Sequence, residues 1–352
     1  MNNLLDFKNF IALFEQENYP QYRWDQFLTY YFSLELNELP NWQDLTTWPK
    51  DMREKFAKKI DLNNIIRSKI KSAENNRSHK ALLTLQDGKL VESVLMSYKD
   101  HNTVCVSSQI GCPLNCQFCA TGKAGFERNL KVVEIIEQFQ YWLVQVNNKN
   151  IKVENPNTYN LVFMGMGEPF LNWTNVKDAI YLFNHYYNIS FRRITVSTAG
   201  LIKGIKEFAN EDWPVNLAIS LNAGSNRVRN ILMPINESNP LNKLWSAIRY
   251  YFKRNNRKVF LEYILIDEFN DSLEEISEVV AKIKQISPKL LHLNLIPYNP
   301  VKGKPWSTVK PKQLQRIIKY LENEHIHFTV RDSLGADVNA ACGQLKHNEL
   351  YE

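Results

Sequence analysis

Residues 103–119 read TVCVSSQIGCPLNCQFC. The first part, TVCVSS, is short, apolar and β-branched, which predicts a buried strand. It runs without an intervening helix into a loop that holds Cys112, Cys116 and Cys119 at C-x3-C-x2-C spacing. Downstream, strand-like runs recur: YNLVFMG, RRITVSTA, VNLAISL, VFLEYILI, LLHLNLIPY and IHFTVRD. Between most of them lie amphipathic helical stretches: VVEIIEQFQYWLVQV, KDAIYLFNHYY, LNKLWSAIRYYFK, LEEISEVVAKIKQI and PKQLQRIIKYLENE. Such alternation builds parallel βα units. Six or seven units form either an open doubly wound sheet or a partial barrel, and in both the ligands gather at the carboxyl ends of the strands. The chemically suggestive residues fall there, just after VCVSSQ, VFMG, TVST, AISL and LIPY.

Upstream the pattern changes. Residues 1–75 read as helical: Phe7, Phe10, Ile11 and Phe14 recur at helix spacing, as do Trp24, Phe27, Leu28 and Tyr31. Pro49 stands where a helix begins. The polar stretch SAENNRSHK reads as a linker, and ALLTLQ, Asp87-Gly88 and KLVESVLMSY as a hairpin. The 352 residues are 44% hydrophobic and 23% charged, which excludes wholesale disorder and a fibrous protein. Mean hydropathy is −0.38 and no apolar run is long enough for a membrane helix. The N-terminus lacks the order of a signal peptide, so a cytoplasmic protein is expected. Lys50–Lys80 holds ten basic and four acidic residues, a surplus equal to the whole chain's net charge of +6. A basic block suits RNA phosphates and equally suits a solvated face.

Five cysteines, an odd number, argue against a disulfide framework. Three close thiolates are a soft, anionic ligand set suited to iron–sulfur or zinc. Zinc wants a fourth ligand at short spacing, and neither Cys105 nor His101 is well placed for that role. Three ligands on a four-iron cluster leave one iron open, which is the arrangement of radical S-adenosylmethionine (SAM) enzymes. Reduced structural cysteines remain the bland alternative.

The match extends well beyond the cysteines. CVSSQIGCPLNCQFCATGKAGFERNL, VFMGMGEPFLN, RRITVSTAG, LAISLNA, LMPIN, LIPYNP and ADVNAACGQL occur in this order. Together they resemble the RlmN/Cfr family of radical SAM RNA methyltransferases, from about Leu82 to the end. The resemblance implies a partial (βα)6-type radical SAM barrel behind a small N-terminal helical accessory domain. The expected divisions are 1–77 for that domain, 78–102 for a β-hairpin linker, 103–335 for the core and 336–352 for a C-terminal segment.

The resemblance also assigns residues. Cys112, Cys116 and Cys119 would hold one 4Fe–4S cluster. Gly167 and Glu168 would meet the SAM amino group, and Ser197, Ser220, Leu221, Asn222 and Asn299 would complete the SAM pocket. Asn222 departs from the family's usual His, and loses its capacity to titrate. Cys342 matches the methyl-carrying cysteine, Cys105 its disulfide partner and Glu92 the proton acceptor. The implied reaction uses two SAM molecules per turnover, with 23S ribosomal RNA and transfer RNA as substrates and a flavodoxin or ferredoxin system as reductant. A monomer is expected, with no membrane partner. Gly165-Met166-Gly167-Glu168-Pro169 favours the branch that methylates adenine C2 over the branch that methylates C8, which tends to read GMGEA. A zinc-stabilised RNA-binding module is the non-catalytic rival.

Overall fold

The computed structural model describes residues 14–17, 19–301, 303–331 and 344–345. Its strands are β1 (Ile65–Ser72), β2 (Ser78–Leu85), β3 (Leu90–Ser97), β4 (Asn102–Cys105), β5 (Gln109–Gly111), β6 (Phe126–Asn129), β7 (Tyr159–Phe163), β8 (Ile194–Thr198), β9 (Asn216–Ser220), β10 (Val259–Leu265), β11 (Leu291–Pro297) and β12 (Phe328–Val330). Ten form one sheet in the order β1-β2-β3-β4-β7-β8-β9-β10-β11-β12, and β5 and β6 form a separate ladder. From β4 onward every neighbour is parallel. From β1 to β4 every neighbour is antiparallel.

The crossover helices follow the expected spacing. Helix Leu273–Ile286 is framed as its sequence requires: Ser272 caps it by accepting from the Glu275 amide, Glu274 and Glu275 occupy its first turn and Lys284 its last. It buries Ile276, Val279, Val280 and Ile283, each contributing about 1.5–3 kcal/mol. Helices Val132–Asn147, Trp173–Tyr187, Leu241–Arg254 and Pro311–Asn323 likewise follow the apolar periodicity.

Alternation along the strands decides between the two sheet forms. Cys105, Val162, Ser197, Ser220, Glu262 and Ile296 all face one cavity. Val104, Leu161, Val196, Leu217, Leu261 and Leu295 point the other way into the hydrophobic core. One face therefore wraps a hollow that polar and apolar side chains line together, whereas a doubly wound sheet would carry helices on both faces. Among the described residues β1 and β12 each have a single neighbour, so the sheet is a barrel left open.

Two upstream expectations need correction. Helices Gln21–Tyr31 and Lys50–Ala57 are present, and Phe27, Tyr31, Trp48 and Phe56 pack in an aromatic cluster. Helix does not continue to residue 75, because IIRSKIKS forms β1. Its charged Arg67, Lys69 and Lys71 recur every second residue, a strand period that the count of basic residues obscured. The hairpin 78–102 is also no free linker. β2 and β3 are bonded into the main sheet, joined at Asp87-Gly88 with Gly88 at φ +77°. Phe7, Phe10 and Ile11 lie outside the described residues.

Candidate active site

The three-cysteine loop springs from β5 and returns through β6. Cys112 N–H donates to Gly125 O at 2.8 Å. Gly111 makes this closure possible: its φ is +73°, and a Cβ there would lie 1.9 Å from Gly125 O. Gln117 N–H donates to Leu232 O at 2.8 Å, docking the loop onto helix Asn226–Leu232. Cys112, Cys116 and Cys119 all line one cavity of about 610 Å³. Burial pushes the Cys112 thiol up to about 12 and the Cys116 thiol well above its ordinary value.

Glu168 follows β7. Its carboxylate accepts from Ala199 N–H at 2.7 Å and from Phe170 N–H at 3.1 Å, and its own N–H donates to the Gln109 side chain at 2.8 Å. Burial outweighs these bonds and lifts its pKa to about 7. Gly167 lies at φ +102° with a Cβ position 2.6 Å from Gln109, so a side chain there would displace the residue that orients Glu168.

Asn222 sits in the left-handed region, φ +58°, where Asn is among the tolerated residues. Its side-chain carbonyl accepts from Ile264 N–H at 2.9 Å, and its main-chain carbonyl accepts from Asn270 at 2.9 Å. Its side chain thus braces the end of β9 against β10, a job that needs no titration. Ser197, Ser220 and Asn299 line the cavity with it. Leu221 is fully buried and contributes packing, not wall.

Cys105 ends β4, lines the cavity and stands opposite Val94 of β3 and Val162 of β7. Glu92 is two residues from Val94 on the same face, 1% exposed, with its carboxylate 3.1 Å from the Lys80 ammonium. It is therefore no solvent-facing strand residue, although it sits behind the cavity wall. Lys80, counted in the basic block, is equally enclosed and leaves the RNA-contact set. Lys55 pairs with Glu17 and Lys50 with Glu54. Cys342 lies outside the described residues. Leu345 lines the cavity, its carbonyl accepting from Thr121 Oγ1 at 2.7 Å.

Sequence reading missed three cavity or near-cavity groups. Glu262 is a lone acid in the apolar run VFLEYILI; it accepts from Asn294 at 2.8 Å with Arg331 3.8 Å away, and burial raises its pKa. Arg331 itself lines the cavity. Arg229 is fully buried beside the cysteine loop. The signal for Glu262 was its isolation among apolar neighbours; Arg229 carried none.

The donor set fits a four-iron cluster. Cys116 is electrostatically coupled to both Cys119 and Cys112, all three thiols share one wall, and the cavity extends past them toward Glu168. Among the described residues no group of three or more His, Cys, Asp or Glu closes on a single metal ion.

Comparison with known proteins agrees with this geometry. The radical SAM superfamily matches residues 106–280. A probable dual-specificity RNA methyltransferase RlmN of Dictyoglomus turgidum is 39% identical over 351 residues, 98% of this chain and 97% of that protein. The protein of the same name from Heliobacterium modesticaldum is 43% identical over 278 residues, 76% of this chain and 70% of its own. The crystal structure of a radical SAM methyltransferase from Sphaerobacter thermophilus superposes with a TM-score of 0.87 at 33% identity, covering 96% of each chain. Among the described residues no helix is long and apolar enough to cross a membrane. With its half-open parallel barrel and its thiol-lined cavity, the chain belongs to the RlmN family of radical SAM RNA methyltransferases.

Proposed function

We propose that the chain methylates C2 of adenine in 23S ribosomal RNA and in transfer RNA, by way of a methylated Cys342 and a transient Cys105–Cys342 disulfide. The observation that carries the reading is one cavity whose wall holds Cys105 together with Cys112, Cys116, Cys119, Glu168 and Asn299. The dual-specificity name of the relatives and the GMGEP sequence support the C2 branch.

Adenine C2 is an electron-poor sp2 carbon with neither an acidic proton nor nucleophilic character, so polar methyl transfer is blocked. Held by Cys112, Cys116 and Cys119, a 4Fe–4S cluster would supply the electron that splits SAM into methionine and a carbon radical, and would take one electron back from the C2 adduct. The chain's residues do the rest. Glu168 holds the SAM ammonium, and Ser197, Ser220, Asn222 and Asn299 shape the pocket around it. Cys342, as thiolate, takes a methyl group from one SAM by displacement. The SAM-derived carbon radical takes a hydrogen atom from that methyl group, and the methylene carbon left with the unpaired electron bonds to C2. Glu92 then receives the C2 proton, the Lys80 ammonium balancing its charge. Cys105, as thiolate, attacks the Cys342 sulfur; the carbon that leaves takes a proton to become the methyl group of the base, and a disulfide remains for thiols to reduce. Two SAM molecules are used per turnover, the electron coming from a flavodoxin or ferredoxin system. The protein acts as a cytoplasmic monomer.

Mass spectrometry of nucleosides tests this. Reconstituted enzyme, SAM and reductant should convert adenosine to 2-methyladenosine in both RNAs. 8-Methyladenosine as the product would overturn the C2 assignment.

A further inference from the structure

We propose that Arg229 is the fixed positive charge of the cluster pocket, offsetting the thiolates of the cysteine loop and raising the reduction potential of the cluster they hold. The inference rests on the ligand roles of Cys112, Cys116 and Cys119.

Arg229 is 0% exposed. Its guanidinium donates to Leu221 O at 2.9 Å, Ala199 O at 2.7 Å, Ser220 O at 3.1 Å and Asn236 Oδ1 at 2.8 Å. Every one of these acceptors is neutral, and among the described residues Arg229 joins no ion pair. A buried cation without a carboxylate is costly, and it persists where another negative charge answers it. Its helix stands against the cysteine loop, whose thiolates would supply that charge. Its helix receives the loop through Gln117 N–H and Leu232 O, while Val228, Leu232 and Met233 pack on Phe118, Cys116 and Cys119.

The carbonyls of Ala199, Ser220 and Leu221 belong to the ends of β8 and β9, so the fork is also a bolt. The bolt explains a planar donor there; it does not require a charge uncompensated by any acid. A formal positive charge near the loop favours the more negative, reduced form of the cluster. Removing it makes the midpoint more negative.

The experiment must separate charge from bolt, and Asn236 offers the means. Asn236→Asp keeps the acceptor shape and sets a carboxylate against Arg229, cancelling its charge; Asn230 Oδ1 and Asn226 Oδ1 accept from Asn236 Nδ2 at 2.5 Å and 2.9 Å, and both amides must turn to donate instead, a cost that the thermal midpoint of this variant reports. Iron content of the reconstituted wild-type protein is measured first, and a chain that holds no four-iron cluster overturns the ligand assignment itself. With iron bound, the midpoint is titrated electrochemically and followed by the visible and paramagnetic signals of the cluster. At the wild-type midpoint, Asn236→Asp should show a reduced-to-oxidised ratio about tenfold lower, or 59 mV for a one-electron couple. Arg229→Lys, which loses the fork but keeps the charge, should shift less than Arg229→Gln, with thermal midpoints reporting the fold separately. An unchanged midpoint in Asn236→Asp, or equal shifts in the two arginine variants, overturns the proposal. Where an arginine variant fails to fold, Asn236→Asp alone decides.

Discussion

The two halves of the sheet bury polar groups for different ends. In β1–β3 the buried ionisable side chains pair with one another or with neighbours in the same half. Lys80 meets Glu92, and His79 bonds Ser72 Oγ at 2.7 Å and Asn76 O at 3.1 Å. In the parallel half, Glu168, Asn222 and Glu262 brace strand ends while one side stays open to the cavity. The reason is topological. Antiparallel neighbours are joined by short turns and fill the space between them, whereas parallel strands end together and leave a hollow ringed by loops. Cys105 stands at the seam, paired on one side with Val94 and on the other with Val162.

The largest effects expected are at the cysteines, Cys105 of that seam among them. Cys116→Ala should lose iron and abolish SAM cleavage. Cys342→Ala should give neither RNA product nor covalent complex. Cys105→Ala should still add to adenine and then stall, leaving protein crosslinked to RNA on a denaturing gel and sensitive to ribonuclease. Normal methylation by either of the last two variants would remove that cysteine from the chemistry.

Closure of the antiparallel half is tested at Lys80. Lys80→Met leaves the buried Glu92 carboxylate without its ammonium, and breaking a buried pair costs about 3–5 kcal/mol. Denaturant melts should show that loss, and Lys80→Met/Glu92→Leu should recover most of it. A single variant as stable as wild type would mean that this half is not closed.

Openness of the parallel half is tested at Glu168. Burial holds its pKa near 7 in the ligand-free protein, and only its ionised form attracts the SAM ammonium. Affinity for SAM should therefore hold above pH 7 and fall by up to tenfold per pH unit below it. Calorimetry across pH 5.5–8 measures this, and Glu168→Gln should bind weakly with a flat profile.

How far each half was legible follows from the same contrast. Parallel strands and their helices announce themselves by period, so LEEISEVVAKIKQI maps onto helix Leu273–Ile286 end to end. The thiols, Glu168 and Asn299 were legible because they follow strand runs. β1 was not, since its hydrophobic signal is weak and only pairing with β2 makes it a strand. The Lys80–Glu92 pair was invisible because twelve residues and a turn separate its members. Asn222 looked like a loss until its positive φ and its bond to Ile264 gave it a bracing task.

The smallest effect expected concerns the edge strand, where the sheet has two uses for one feature. The row Lys71, Lys80, Val94, Cys105 runs straight across four strands by register, and Lys69 stands in the neighbouring row with Leu82 and Glu92. Opposed residues share a face, so Lys69 and Lys71, with Arg67, look out on the side that carries Cys105. All three are exposed. Ser68 lies on the other face, bonded to Tyr141 of helix Val132–Asn147. Cations here can track an RNA backbone whose base reaches the cavity, and they can also keep the open edge of β1 from pairing with another sheet. The two uses predict different losses. Replacing Arg67, Lys69 and Lys71 with Gln should lower the slope of log affinity against log salt by about 2 to 3 if each neutralises a phosphate. Cleavage of SAM without RNA should survive, because the cysteine loop and Glu168 are untouched. An unchanged slope with concentration-dependent association would assign the three cations to guarding the edge, and would leave RNA contact to the parallel half alone, where Arg192 and Arg193 stand exposed at the cavity rim.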